Sequence, residues 1–222
     1  MLDLGTGAFA RVRRYAGEER IAAVVISHMH ADHFIDLIPL RYALRYGVRG
    51  RRGKLPVYLP PGGLATLRAI TSALPREGGD FLSDVFELAE YDPSQPLAIG
   101  AATLRFAPTV HYIPAFAMRW ERDGASVTYS ADTAPSDTVV ALAREAGVFV
   151  CEATLRRGAR EPGMRGHSSA EEAAAMARAA GVRRLLLTHY GEDSTHDDLD
   201  IAAREKFDGT IVVADDHAIV EL

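Results

Sequence analysis

The chain has 222 residues, is 48% hydrophobic and 25% charged, and carries a formal net charge of −5. That composition excludes disorder as the main state, and the single cysteine, Cys151, excludes a disulfide scaffold. The acidic balance excludes a global basic field directed at nucleic acid; no apolar run approaches the roughly 20 residues of a membrane span, and no apolar signal core opens the chain, so the cytoplasm is the expected compartment.

Short β-type runs alternate with amphipathic helical runs, the pattern of an α/β fold. Ile21–Ser27 reads as a buried strand and Asp36–Tyr46 as a helix. Leu55–Leu59 reads as a strand stopped by Pro60-Pro61-Gly62-Gly63, Leu64–Leu74 as a helix and Thr103–Ala107 as a strand. Asp123-Gly124 between Ala115–Glu121 and Ser126–Ser130 predicts a hairpin. A helix follows from about Ser136 to Ala146, then a strand at Val148–Glu152. Ser168 and Ser169 with Glu171 and Glu172 predict a capping box ahead of an alanine-rich helix that Gly181 ends. Leu185–Thr188 reads as a strand, Leu199–Phe207 as a helix and Thr210–Leu222 as a final hairpin turning near Asp215-Asp216. No linker, repeat or low-complexity tract interrupts the pattern, so residues 1–222 read as one domain.

The chemistry concentrates in Ser27-His28-Met29-His30-Ala31-Asp32-His33, directly after the first buried strand. In extended chain, residues two apart share a side, so His28 and His30 point together and supply half of a tetrahedral site. Asp32 and His33 come where the chain turns into a helix and can face a second metal. With 8 His and 16 Asp in the chain, chance produces this four-residue pattern with a probability on the order of 10⁻³, which disfavours a merely polar loop. Three more candidates lie just beyond strand ends: His111, Asp132 and His189. Ligands outside the carboxyl ends of strands are the habit of α/β proteins. A lone histidine there is more often structural; beside the His-rich motif, the metal reading prevails.

The set resembles the metallo-β-lactamase superfamily, from Leu2-Asp3-Leu4-Gly5 to the end of the chain. The resemblance implies an αββα metallo-β-lactamase-type sandwich with a dinuclear site. It assigns His28, His30 and His111 to one metal, Asp32, His33 and His189 to the other, and Asp132 to both. Asp3 matches a strand-end Asp that supports ligands rather than binding metal. Gly166-His167-Ser168-Ser169 and Cys151-Glu152-Ala153-Thr154 are similar to the Gly-His-Ser-Thr and His-Glu-Ala-Thr motifs of the RNase Z branch. Cys151 departs from that pattern; Glu152 holds the functional position. There the Glu orients the His, and the His protonates the leaving group. Asp32, His167 and Glu152 are therefore the candidate catalytic residues. The helix that follows His167 disfavours an imidazolium, whereas Glu152 and an anionic substrate favour it.

An N and O donor set fits two divalent ions, zinc first, with manganese or iron as alternatives. Two metals sharing a bridging hydroxide suit in-line attack on phosphorus. The expected activity is thus a phosphodiesterase acting on an RNA 3′ end or a cyclic nucleotide. Asp132 follows His111 by only 21 positions, room for one hairpin and not for the tRNA-gripping arm of RNase Z, which favours small substrates. The alternatives are an acyl hydrolase for thioesters, lactones or lactams, and a truncated metal-binding protein without activity. Arg41, Arg45, Arg49, Arg51, Arg52 and Lys54 form one basic cluster. It either meets phosphate or is a solvated helix face, and the acidic net charge favours the latter. Family members normally place one or two strands before Leu2-Asp3-Leu4-Gly5. Without them a sheet edge is exposed, so either a homodimer or poor behaviour in solution is expected. No membrane partner is expected.

Overall fold

The structure, a computed structural model, describes residues 1–47, 53–74, 81–159 and 161–221. These fall into two compact units, Met1–Asp92 and Pro93–Leu222.

The first unit runs α1 (Ala8–Val12), a 3₁₀ turn at Glu18–Arg20, β1 (Val24–Val25), α2 (Ala31–Phe34), α3 (Leu37–Tyr46), β2 (Leu55–Leu59), α4 (Gly63–Thr71) and β3 (Phe86–Glu90). Its sheet is parallel, in the order β1-β2-β3. Leu55, Val57 and Leu59 alternate inward along β2 and join Leu4, Val24, Ile26, Phe34, Leu37 and Phe86 in one core. The expected strand Ile21–Ser27 narrows to Val24–Val25, because Ser27 N–H leaves the ladder for Asp3 Oδ1 at 2.6 Å. Leu2 bridges Val25 in parallel, which brings Asp3 to the end of β1.

The second unit runs β4 (Leu97–Ile99), β5 (Ala102–Pro108), β6 (Phe116–Arg122), β7 (Ala125–Tyr129), α5 (Asp137–Ala143), β8 (Val148–Glu152), α6 (Ala170–Ala180), β9 (Arg184–Thr188), α7 (His196–Arg204) and β10 (Thr210–Val213). They form one seven-stranded sheet in the order β10-β9-β8-β7-β6-β5-β4. Strands β4 to β7 are an antiparallel meander; β7 to β10 are parallel, joined through α5, α6 and α7. The hairpin forms as expected, with Asp123 and Gly124 both at positive φ, as a two-residue turn of this kind requires. It occupies the interval between His111 and Asp132. The alanines of α6 let that helix approach Phe149, Leu185 and Leu187 closely. Because β5, β7, β8 and β9 point the same way, their carboxyl ends lie on one edge, and His111, Asp132, Glu152 and His189 end there together.

Two expectations need correction. The final hairpin does not form among the described residues: after β10 the chain turns at Asp216-His217 without a returning strand, and the Arg184 guanidinium takes the Glu221 carbonyl instead. Helix α7 starts at His196 rather than Leu199, because Thr195 caps it by accepting the Asp198 N–H at 3.1 Å. Among the described residues no helix is long and apolar enough to cross a membrane.

Candidate metal centre

In the first unit, His30 has an extended backbone as N-cap of α2. His28 Nε2 and His30 Nδ1 consequently face each other at 3.1 Å. One turn on, Asp32 Oδ2 lies 3.6 Å from His33 Nε2. Two ligands each about 2.0–2.2 Å from one ion lie roughly 3–4 Å apart, so both pairs fit a shared cation. The tautomers agree. The Ser27 hydroxyl donates its one hydrogen to Asp3 Oδ2 at 2.7 Å, so it accepts from His28 Nδ1 at 3.0 Å. His33 Nδ1 donates to Asp3 Oδ2 at 2.8 Å. Each ring thus carries its proton on Nδ1 and presents the Nε2 lone pair, the arrangement of histidine ligands backed by a carboxylate or hydroxyl. Asp3 therefore holds His33 directly and His28 through Ser27.

The second unit repeats the logic. Asp132 is buried, with Oδ2 3.9 Å from His111 Nε2 and Oδ1 3.7 Å from His189 Nε2. Its two oxygens address two different imidazoles. His111 Nδ1 donates to the Gly166 carbonyl at 2.9 Å. Asp132, His167 and His189 each offer a ligand atom within 4.8 Å of one another. Asp3, Ala131 and His189 all hold φ between 52° and 54°, a costly region for residues with side chains. Three of the six non-glycine residues at positive φ among the described residues thus flank or include the ligand candidates; Asp123, Glu145 and His217 lie elsewhere.

Glu152 is the hub beside them. It is 1% exposed, and its Oε1 accepts from His167 Nδ1 at 2.9 Å and from the Thr133 N–H at 2.8 Å. Oε2 accepts the Thr154 N–H at 3.0 Å. Burial alone disfavours the imidazolium of His167, but the hydrogen bond and charge of Glu152, with Asp132 and Glu161 nearby, outweigh it and raise the histidine above its ordinary pKa. Cys151 lies fully buried in the core, where desolvation pushes its thiol up, so it takes no part in the chemistry.

A family model described as a beta-lactamase superfamily domain matches residues 2–190. The chain belongs to this superfamily. An uncharacterised protein of Mycobacterium tuberculosis is 35% identical over 221 residues, 99% of this chain and 78% of that protein. A ribonuclease Z of Mycobacterium bovis is 30% identical, covering 100% of this chain and 87% of the relative. The crystal structure of the metallo-β-lactamase fold protein YhfI of Bacillus subtilis superposes with a TM-score of 0.85 at 27% identity, over 99% of this chain and 86% of that one. The chain has the metallo-β-lactamase fold and a His/Asp cluster suited to divalent metal, and as a superfamily member it is a hydrolase.

The superfamily motifs pick out the donors but not all their supports. Ser27 and Thr154 stand inside the motifs, yet nothing in their spacing shows that their hydroxyls fix His28 and His189. Glu161 and Tyr112 carry no motif at all. The basic cluster is not a uniformly solvated helix face where it is described: Arg41 is buried, donating to the Phe81 carbonyl at 2.9 Å and Asp84 at 2.6 Å, and the exposed Arg45 pairs with Asp84 at 3.3 Å. Arg49, Arg51 and Arg52 lie outside the described residues.

Proposed function

We propose that the chain is a dinuclear-metal phosphodiesterase of RNase Z-like type, acting on an RNA 3′ end or a small cyclic nucleotide. The observation that carries this reading is the Glu152–His167 pair, a carboxylate-held proton donor whose ring lies beside Asp132 and His189. Phosphodiester cleavage expels an alkoxide that needs a proton, whereas a thioester expels a thiolate that departs without one. The name of the M. bovis relative, ribonuclease Z, supports the same substrate class.

The reading gives His28, His30 and His111 to one ion and Asp32, His33 and His189 to the other, with Asp132 shared and zinc as the preferred metal. When bound, the two ions would supply Lewis acidity and a lowered pKa for water. Asp32, whose side chain is 59% exposed, takes the proton of the incoming water. Asp132 holds its oxygens toward His111 and His189. His167 gives its proton from Nε2 to the departing oxygen, while Glu152 keeps Nδ1 protonated and balances the charge.

The test is hydrolysis of bis(p-nitrophenyl) phosphate by zinc- or manganese-loaded protein. Turnover that Asp132→Ala abolishes is the expected result. A protein shown to hold two metals that opens thioesters or lactones but no phosphodiester would sink the reading.

A further inference from the structure

The loop between β8 and α6, which delivers His167, is closed by a carboxylate. Glu161 Oε2 accepts the N–H of Gly166 at 2.8 Å and of His167 at 3.1 Å. Its Oε1 accepts the Tyr112 hydroxyl. Tyr112 follows His111 in sequence, and its ring covers Gly166 so closely that a Cβ there would lie 2.6 Å from it. The Gly166 carbonyl accepts His111 Nδ1–H. Gly166 is thus held at its N–H by Glu161 and at its C=O by His111, and the next residue is His167. Burial pushes the Glu161 carboxyl up, but the Tyr112 hydroxyl and the two amides outweigh it, so its pKa falls below the ordinary carboxylate value. It is therefore ionised at neutral pH and a strong acceptor.

We propose that Glu161 is a positioning residue for proton transfer: its carboxylate clamps two successive amides and so fixes the backbone from which His167 reaches the leaving group. Glu152 orients the ring; Glu161 sets where that ring starts. Glu152 is anchored in a strand; in the loop, Arg165 Nε donates to the His167 carbonyl at 3.2 Å and the Ser168 hydroxyl to the Thr133 carbonyl at 2.6 Å, while Glu161 supplies the hold on the Gly166 and His167 amides. A misplacement of about 1 Å in a reacting group costs on the order of 10²-fold in rate. The Tyr112 hydroxyl, on the far oxygen of Glu161, keeps the carboxylate turned toward the loop.

This assignment rests on the phosphodiesterase reading, and the experiment separates the two. Zinc-loaded wild type, Glu161→Ala, Glu161→Gln and His167→Ala are compared on aryl phosphodiesters whose leaving groups run from p-nitrophenol to phenol. p-Nitrophenolate departs without a proton, whereas phenolate needs one, and general acid catalysis is worth about 10²–10⁴-fold. Glu161→Ala should lose at least about tenfold more kcat on the phenyl ester than on the p-nitrophenyl ester, in the direction of His167→Ala, with KM and zinc content near wild type. Glu161→Gln, which keeps one acceptor, should fall between. Amide exchange followed by NMR gives a readout apart from activity: the Gly166 and His167 N–H groups should exchange at least about tenfold faster in Glu161→Ala. A leaving-group dependence in His167→Ala but none in Glu161→Ala overturns the Glu161 assignment alone. An equal loss on every ester, with lower zinc content, also overturns it and makes Glu161 merely structural. A wild type that cleaves none of the esters overturns both readings.

Discussion

The Thr154 hydroxyl decides which nitrogen of His189 carries the proton. Thr154 Oγ1 lies 2.9 Å from the His189 carbonyl, to which it donates, and 2.8 Å from His189 Nδ1. A hydroxyl has one hydrogen to give, so Nδ1 must be the donor to Oγ1, and Nε2 presents a lone pair toward Asp132. Thr154→Val keeps the shape and removes the acceptor, leaving the tautomer and the ring angle unfixed. Metal affinity should fall about 10–100-fold, as on loss of other groups that orient metal-bound histidines, while Thr154→Ser stays near wild type. Competition against a chromophoric chelator measures this, and a Val variant with unchanged affinity would remove Thr154 from the metal centre.

Gly5 sits where no side chain fits. A Cβ built there would lie 1.5 Å from the Asp32 carbonyl oxygen and 2.6 Å from its carbon. The close approach also lets Leu4 N–H reach the His33 carbonyl at 2.8 Å. Because the obstructing atoms are backbone, Gly5→Ala must push away the segment bearing Asp32 and His33. The expected cost is at least about 1–3 kcal/mol of stability, with weaker binding of metal by that segment. Thermal unfolding and metal stoichiometry read the two effects.

These two residues show what was legible in the sequence. Asp3, Gly5 and the His28–His33 run declare themselves because metal ligands impose residue type and spacing on a short stretch of chain. The strands leading to His111, Asp132 and His189 were visible as apolar runs for the same local reason. Strands β3 and β4 were not: Phe86–Glu90 follows no strict alternation, and Leu97–Ile99 is too short to show a period. Glu161 could not be found at all, because its partners, Tyr112 and the Gly166 and His167 amides, are chosen by the fold rather than by neighbours in sequence. Arg41 misled for the converse reason: its spacing from Arg45 suggests a helix face, but Phe81 and Asp84 meet it from a distant segment.

The lowered pKa of Glu161 sets a pH window. A carboxyl whose folded pKa lies below its unfolded value binds its proton more weakly when folded. Its contribution to stability is therefore present above the unfolded value and lost as pH falls through the folded one. The stability difference between wild type and Glu161→Gln should thus shrink below about pH 4, beyond the smaller step that His167, whose imidazolium the Glu161 charge favours, adds as it titrates. Melting temperatures of the pair from about pH 8 to below about pH 4 test it. A difference that varies mainly between pH 6 and 8 would mean that another group controls the loop.

Arg41 offers the sharpest contrast between a structural and a substrate role. Its Nε donates to the Phe81 carbonyl, its guanidinium pairs with Asp84, and its charge lies 4.5 Å from the centre of the Phe81 ring. Arg41→Met keeps much of the stem but drops the charge, so the Phe81 carbonyl and Asp84 lose a donor. Hydrogen bonds to charged groups contribute about 1.5–3 kcal/mol, and unfolding should register a loss of that order. KM for a phosphodiester, and its dependence on salt, should stay as in wild type, because a guanidinium already occupied by Asp84 has no phosphate to release. A variant of unchanged stability but raised, less salt-sensitive KM would return Arg41 to the substrate.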